Sequence, residues 1–331
     1  MTDRGGLTLY DVTVRHQGPF GPVTAVDGVS LEVPPGTTVG LVGESGSGKS
    51  TLARAVVGLD SPYAGRITVG GREYRGRRAA ERRRLGRQVQ LVFQDPDTAL
   101  DPRMTVRQSI AESAGAFVPL DRRSREQRIR QLLELVGLDA ACADRVPGEL
   151  SGGQRQRVAV ARALAVDPTV LLADEVTSAL DVSVRAALLT MIRDLQRRMG
   201  FAMLFISHDL AAVRHVSDVV AVMYLGRIVE TAPTEDLLRG PRHPYTRSLL
   251  SAVPSLHPGR RQAVEPLLSG EVPDPAAPPT GCRFHPRCPV GPARHPGREV
   301  CAARDPQQDA AGQPHRAACH FPYRADGVHP A

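Results

Sequence analysis

The stretch "GESGSGKST", residues 43–51, contains Lys49, the only lysine in a chain of 331 residues whose other 41 basic side chains are all Arg. Asn is absent as well. Lys and Asn codons are both AT-rich, so GC-rich coding accounts for their joint loss, and Lys49 is the position that resisted it. Arg presents a planar fork, whereas Lys presents a compact charge on a thin stem, so a site that keeps Lys needs the narrow shape. Residues 43–50 fit G-x-x-x-x-G-K-[ST] in full, a pattern that has meaning only between a strand and a helix. "TVGLV" (38–42) supplies the strand and "STLARAVVGL" (50–59) the helix. Gly43, Gly46 and Gly48 let the backbone come close to an anion. The loop N–H groups and the helix N-terminus then face it. Lys49 is expected on the β- and γ-phosphates of a nucleotide and the Ser50 hydroxyl on Mg²⁺. Ser45 and Thr51 complete the expected phosphate-binding set.

"VLLADE" (170–175) is the second element. A buried apolar strand delivers Asp174 to its end, where the carboxylate holds Mg²⁺ directly or through water. Glu175 follows at once. Two adjacent carboxylates repel unless a cation lies beside them, and Glu175 is the candidate general base for an attacking water.

The rest of the chain sets the frame. At 41% hydrophobic and 23% charged residues, the composition is that of a soluble globular protein. No apolar run approaches the roughly 18 residues of a membrane-spanning helix. The opening "MTDRGGLTLY" has no apolar signal segment, so a cytosolic location is expected. The net charge is +7, and its densest patch is "GREYRGRRAAERRRLGR" (71–87). No aromatic interleaving or base-reading motif accompanies that patch, so it reads as a solvated face and not as a nucleic-acid site. Apolar runs alternate with helical segments up to about residue 235, an α/β pattern. Strands are expected at 38–42, 89–93, 170–173, 202–206 and 219–225. "REQRIRQLLELVGL" (125–138) has helical spacing, within a helical stretch of about 96–165. Beyond about 240, Pro, His and Cys become frequent, and "GEVPDPAAPPTG" (270–281) reads as a stiff linker. The expected division is 5–240 and 241–331.

Between these elements lies "LSGGQRQRVAVARAL" (150–164), which resembles the signature motif of ATP-binding cassette (ABC) ATPases. "FQDP" with Gln94, "SALD" (178–181) and "ISHDL" with His208 resemble that family's Q-loop, D-loop and switch histidine, in the family's order. The resemblance covers roughly residues 5–235. It implies a P-loop ABC nucleotide-binding domain: a RecA-like α/β core with an antiparallel β subdomain and a helical subdomain. It also implies two domains facing head to tail with ATP between them. Ser151, Gly152, Gly153 and Gln154 of one cap the γ-phosphate held by the other, and Asp181 couples the two sites. By the same resemblance, Gln94 contributes to catalysis, to nucleotide binding and to the Mg²⁺ site, and His208 contacts the γ-phosphate and helps orient the attacking water. Adenine stacking falls to His16, with Phe20 as the alternative. Val176 stands where the family often has Pro or Ala, a change that leaves catalysis intact.

"HPYTRSLLSAVPS" (243–255) and "GCRFHPRCP" (281–289) resemble the tail of ATP-binding subunits of oligopeptide, dipeptide and nickel importers. The resemblance implies a second, similar ATPase as partner in a heterodimer, two transmembrane permease subunits and an extracytoplasmic binding protein. The subunit then sits peripherally on the cytoplasmic face of the plasma membrane, with no nucleic-acid partner. The alternatives are an ABC ATPase of an exporter or of a nucleic-acid or ribosome-associated system. Cys282, Cys288, Cys301 and Cys319 cluster in this appendage. In a cytosolic protein such clustering favours metal over disulfides, but the spacing lacks C-x-x-C pairs. Four thiolates suit a [4Fe–4S] cluster, which the resemblance implies in some members. Zinc and unligated thiols are the other options. Cys142 reads as a small buried residue.

Overall fold

The computed structural model describes residues 5–18, 21–74, 79–117, 121–178, 180–251, 271–306 and 313–323. Eleven strands occur among them: β1 (Leu7–Gly18), β2 (Gly21–Val33), β3 (Thr38–Val42), β4 (Ala64–Val69), β5 (Arg72–Tyr74), β6 (Val89–Val92), β7 (Val170–Asp174), β8 (Ala202–Ile206), β9 (Val219–Tyr224), β10 (Arg227–Pro233) and β11 (Arg316–Ala317). They form two sheets. The smaller, in the order β2-β1-β4-β5, is antiparallel throughout. The larger runs β11-β10-β9-β3-β8-β7-β6. Its strands β6, β7, β8, β3 and β9 are parallel, and β10 and β11 close one edge antiparallel.

Each of the five expected strands is present. β3 and β8 are buried at every residue, as a parallel sheet covered on both faces requires. Successive residues point to opposite faces, and two cores result. Val170 and Leu172 of β7 join the helix Lys49–Val56 and the small sheet on one face. Leu171 and Ala173 join the helices Val182–Met199 and Leu210–Val216 on the other. The segment between β6 and β7 is helical, with Pro96–Ala99, Val106–Phe117, Arg122–Leu135 and Gly152–Leu164. Cys142 is buried in a short turn of that segment. Within the Arg-rich patch, Arg72–Tyr74 form β5 and Ala79–Gln88 a helix that buries Leu85 and leaves Arg82, Arg83, Arg84 and Arg87 exposed; residues 75–78 lie outside the described residues. No helix among the described residues is long and apolar enough to cross a membrane.

The tail packs into the main sheet and its core. β11 pairs with β10, Glu230 opposite Ala317, so the tail supplies the edge strand of the main sheet. Phe284 is buried in the same core as β8 and β9. Glu230 anchors this seam. Its fully buried carboxylate accepts the N–H of Arg242 at 2.7 Å and of His243 at 2.9 Å, and His315 Nε2 lies 2.6 Å away.

Candidate nucleotide site

The loop between β3 and the helix Lys49–Val56 sits at the carboxyl end of the parallel strands, where open α/β sheets bind ligands. Gly48 has φ +105°, in the left-handed region that favours glycine. A Cβ there would collide with the carbonyl of Ala25 on β2, and one on Gly43 with the carbonyl of Met223 on β9. The glycines thus let the loop nest between two strands, while Ser45, Gly46 and Ser50 stay exposed at its mouth. Lys49 is buried, and its Nζ donates to Gly43 O at 2.9 Å, Glu44 O at 2.8 Å and Ser47 Oγ at 3.3 Å. Three donors on a compact head match three acceptors on one loop, a geometry a planar guanidinium does not reproduce. Burial lowers the Lys49 pKa, and the charges of Glu175, Asp174 and Glu44 oppose that shift.

Asp174 ends β7. Burial raises its pKa, and a hydrogen bond from Ser50 works the other way. Its Oδ1 is buried with no hydrogen-bond partner. An orphaned carboxylate oxygen beside a serine hydroxyl has the donor chemistry of a hard divalent cation, so these residues fit Mg²⁺. Glu175 takes φ +48°, a strained value for a side chain of this kind. Its N–H donates to Ile206 O at 2.9 Å, which fixes its backbone to the end of β8. His208, two residues beyond β8, places Nδ1 3.1 Å from Glu175 Oε1. Gln94, two residues beyond β6, donates through Nε2 to Ser178 Oγ at 3.4 Å. Ser178 N–H in turn donates to Glu175 O at 3.1 Å. Adjacent strand ends therefore bring Gln94, Asp174, Glu175 and His208 to the edge that carries the phosphate loop.

The second polar face lies on the helical segment. Ser151 caps the helix Gly152–Leu164: its Oγ accepts from Gln154 N–H at 3.3 Å, and its N–H donates to Gln154 Oε1 at 2.9 Å. This capping box leaves the exposed hydroxyl of Ser151 at the positive end of a 13-residue helix. Asp181 caps Val182–Met199, accepting from Ser183 N–H and Val184 N–H at 3.0 Å each. The two caps are neighbours, because a Cβ on Gly153 would come within 2.6 Å of Val184. His16 is exposed on β1 opposite Val23, two residues along β2 from Ala25. Phe20 lies outside the described residues.

The expected [4Fe–4S] cluster is overturned. Among the described residues no group of three or more His, Cys, Asp or Glu side chains stands where it could hold a metal ion. Cys282, Cys288, Cys301 and Cys319 line one small cavity of about 10 Å³, the room of a single water. All four are free thiols. Burial pushes Cys282 up to about 11 and Cys288 up to about 12, and it raises Cys301 and Cys319 as well. Metal ligation needs the thiolate, and this apolar pocket, closed by Phe284, Val290 and Phe321, favours the thiol. The spacing of the cysteines carried no information on the volume they enclose.

One set of contacts has no counterpart in the sequence reading. Glu44, inside the phosphate loop, donates its N–H to Tyr245 Oη at 2.9 Å. Its carboxylate accepts from both terminal nitrogens of Arg287, at 2.8 and 3.1 Å. Tyr245 and Arg287 fall within the two tail motifs quoted above, and those motifs are the only hint the sequence offers.

Comparison with known proteins agrees with this geometry. The ABC transporter family matches residues 26–178, and the family described as "Oligopeptide/dipeptide transporter, C-terminal region" matches residues 229–293. A probable peptide ABC transporter ATP-binding protein of Sinorhizobium fredii is 47% identical over 93% of this chain and 85% of its own length. A di/tripeptide transport ATP-binding protein of Pseudomonas aeruginosa is 45% identical over 95% of this chain and 97% of its own. Among solved structures, the dimeric ATP-binding cassette MJ0796 bound to ADP and Pi superimposes with a TM-score of 0.63 at 26% identity, covering 69% of this chain and 98% of its own. Identity of this extent, on a fold that carries the phosphate loop, acidic strand end and signature helix in place, has one meaning: the chain belongs to the ABC transporter family, as an ATP-hydrolysing subunit with the oligopeptide/dipeptide-type C-terminal region.

Proposed function

We propose that this chain energises the import of peptides, or of a related small solute such as a nickel chelate. The observation that carries the proposal is identity along nearly the whole chain, tail included, with relatives named for peptide transport. The working unit is a pair of ATPase subunits, this one beside a similar but distinct partner. The pair is docked at the cytoplasmic face of the plasma membrane on two permease subunits fed by an extracytoplasmic binding protein. Residues 5–240 form the ATPase domain, residues of about 96–165 its helical, permease-facing subdomain, and 241–331 the C-terminal region.

In this reading Gly43, Ser45, Gly46, Gly48, Lys49, Ser50 and Thr51 take the phosphates, and His16 stacks on adenine. Ser50, Asp174 and Gln94 hold Mg²⁺, which neutralises phosphate charge when bound. Glu175 takes the proton of the attacking water. His208, beside it, contacts the γ-phosphate and orients that water. Ser151, Gly152, Gly153 and Gln154 close over the γ-phosphate bound by the opposite subunit, with the positive end of their helix toward it. Asp181 links the two sites.

Uptake of a labelled dipeptide and of a labelled nickel chelate, in cells carrying the intact chain or Glu175→Gln, tests the assignment. The variant is expected to abolish uptake of one of them. Unchanged uptake of both would remove the importer assignment.

A further inference from the structure

Three groups hold Glu44, the second residue of the phosphate loop. Lys49 Nζ bonds its carbonyl at 2.8 Å, from within the loop. The other two come from beyond residue 240: Tyr245 accepts its N–H, and Arg287 grips its carboxylate with both fork nitrogens. Tyr245 is fully buried and Arg287 is 7% exposed, so both anchors act in a poorly hydrated setting, where a two-pronged charged contact is at its strongest. The anchors are themselves rigid. The Tyr245 ring packs on Tyr224 at 4.6 Å between centroids, and Phe284 meets Tyr224 at 5.3 Å. The Tyr224 hydroxyl accepts from Arg287 at 3.3 Å. This aromatic group seats the tail against the end of β9, next to the loop.

The arrangement meets an electrostatic problem. A carboxylate inside a loop that takes phosphates repels them, and Glu44 is such a carboxylate. Arg287 compensates its charge, and Tyr245 fixes the peptide N–H between Gly43 and Glu44. We infer that Arg287 and Tyr245 are positioning residues of the nucleotide site, through which the C-terminal region neutralises Glu44 and sets the backbone of the phosphate loop. The inference rests on the reading that residues 43–50 hold the phosphates of ATP. By linkage, whatever loosens the tail lowers nucleotide affinity, and bound nucleotide tightens the tail by the same factor.

MgATP binding to the full-length chain, followed by displacement of a fluorescent ATP analogue, tests this. Arg287→Ala is expected to weaken binding roughly tenfold, and adding Glu44→Gln to that variant to restore it to within about threefold of the original. A merely structural Arg287 gives no such rescue. Tyr245→Phe, which keeps the ring, is expected to weaken binding about threefold or more with the thermal midpoint little changed. Unaltered binding in Arg287→Ala, or failure of Glu44→Gln to restore it, overturns the inference. Should Arg287→Ala not fold, unaltered binding in Tyr245→Phe overturns it instead. Lys49→Ala separates the two levels: if that variant binds MgATP as tightly as the original chain, the reading of the loop itself fails, whatever the tail variants do.

Discussion

His208 Nδ1 lies 3.1 Å from Glu175 Oε1, across the gap between the ends of the parallel neighbours β7 and β8. The histidine ring is thereby oriented by the carboxylate proposed to accept the water's proton. Glu175 cannot drift, because its N–H is bonded to Ile206 O at 2.9 Å and its backbone is held at φ +48°. Strain of this kind persists where the surroundings over-determine it, and such places cluster at reaction centres.

Glu175→Gln keeps the side chain's shape and a hydrogen-bonding oxygen but loses the carboxylate proposed as the base. Turnover should fall by about 10²–10⁴-fold, while ATP affinity stays within a few-fold and the ATP-bound pair of subunits accumulates. Steady-state hydrolysis and size-exclusion chromatography with ATP check this, and near-normal turnover would remove Glu175 as the base.

His208→Ala removes the group proposed to contact the γ-phosphate and leaves the loop untouched. Its effect should fall on kcat, about 10²-fold, with little change in the nucleotide dissociation constant. A loss confined to binding would place His208 among the binding groups and not among those acting on the water.

Lys49→Arg keeps the charge and changes the shape. The three acceptors Gly43 O, Glu44 O and Ser47 Oγ surround a single ammonium, and a guanidinium fits them only if the loop opens. MgATP affinity should drop by more than about tenfold, since hydrogen bonds to a charged group contribute roughly 1.5–3 kcal/mol each. Original affinity and turnover in this variant would undo the steric explanation for the lone lysine.

The tail cysteines are expected to contribute to an alkaline limit on stability. Cys282 and Cys288 are pushed up to about 11 and about 12 by burial, while in the unfolded chain a thiol ionises near about 8.5. The folded state therefore holds these protons more tightly, so this contribution is complete below about pH 8.5 and is lost as pH rises through the folded values. The urea midpoint should decline from about pH 8.5 upward, through the folded values of about 11 and about 12, and less steeply once Cys282 and Cys288 are replaced by Ser. Equal slopes in the two proteins would show that other groups govern the alkaline limit.

The five parallel strands were legible in the sequence because each is a short, mainly apolar run, and β3 and β8 are buried at every residue. The hairpin of β1 and β2 was not, and entered only through family resemblance. Its pairing shifts register between Leu9 and Val12, between Val12 and Val14, and between Val14 and Arg15, which breaks the two-residue alternation that marks a strand. β11 is two residues long and has no periodicity to detect.

Local chemistry was determined by the sequence alone. A loop that wraps phosphate needs glycines, one slender cation and a hydroxyl at fixed spacing, and a capped helix end needs Ser151 three residues before Gln154. Neighbours along the chain satisfy both, so both can be read from it. Tertiary structure decided what depends on distant partners and on volume. Arg287 reaches Glu44 across 243 positions, and four free cysteines converge on one small, mostly apolar cavity. No spacing rule encodes either, because burial and enclosed volume arise only once β10, β11 and the tail have packed together.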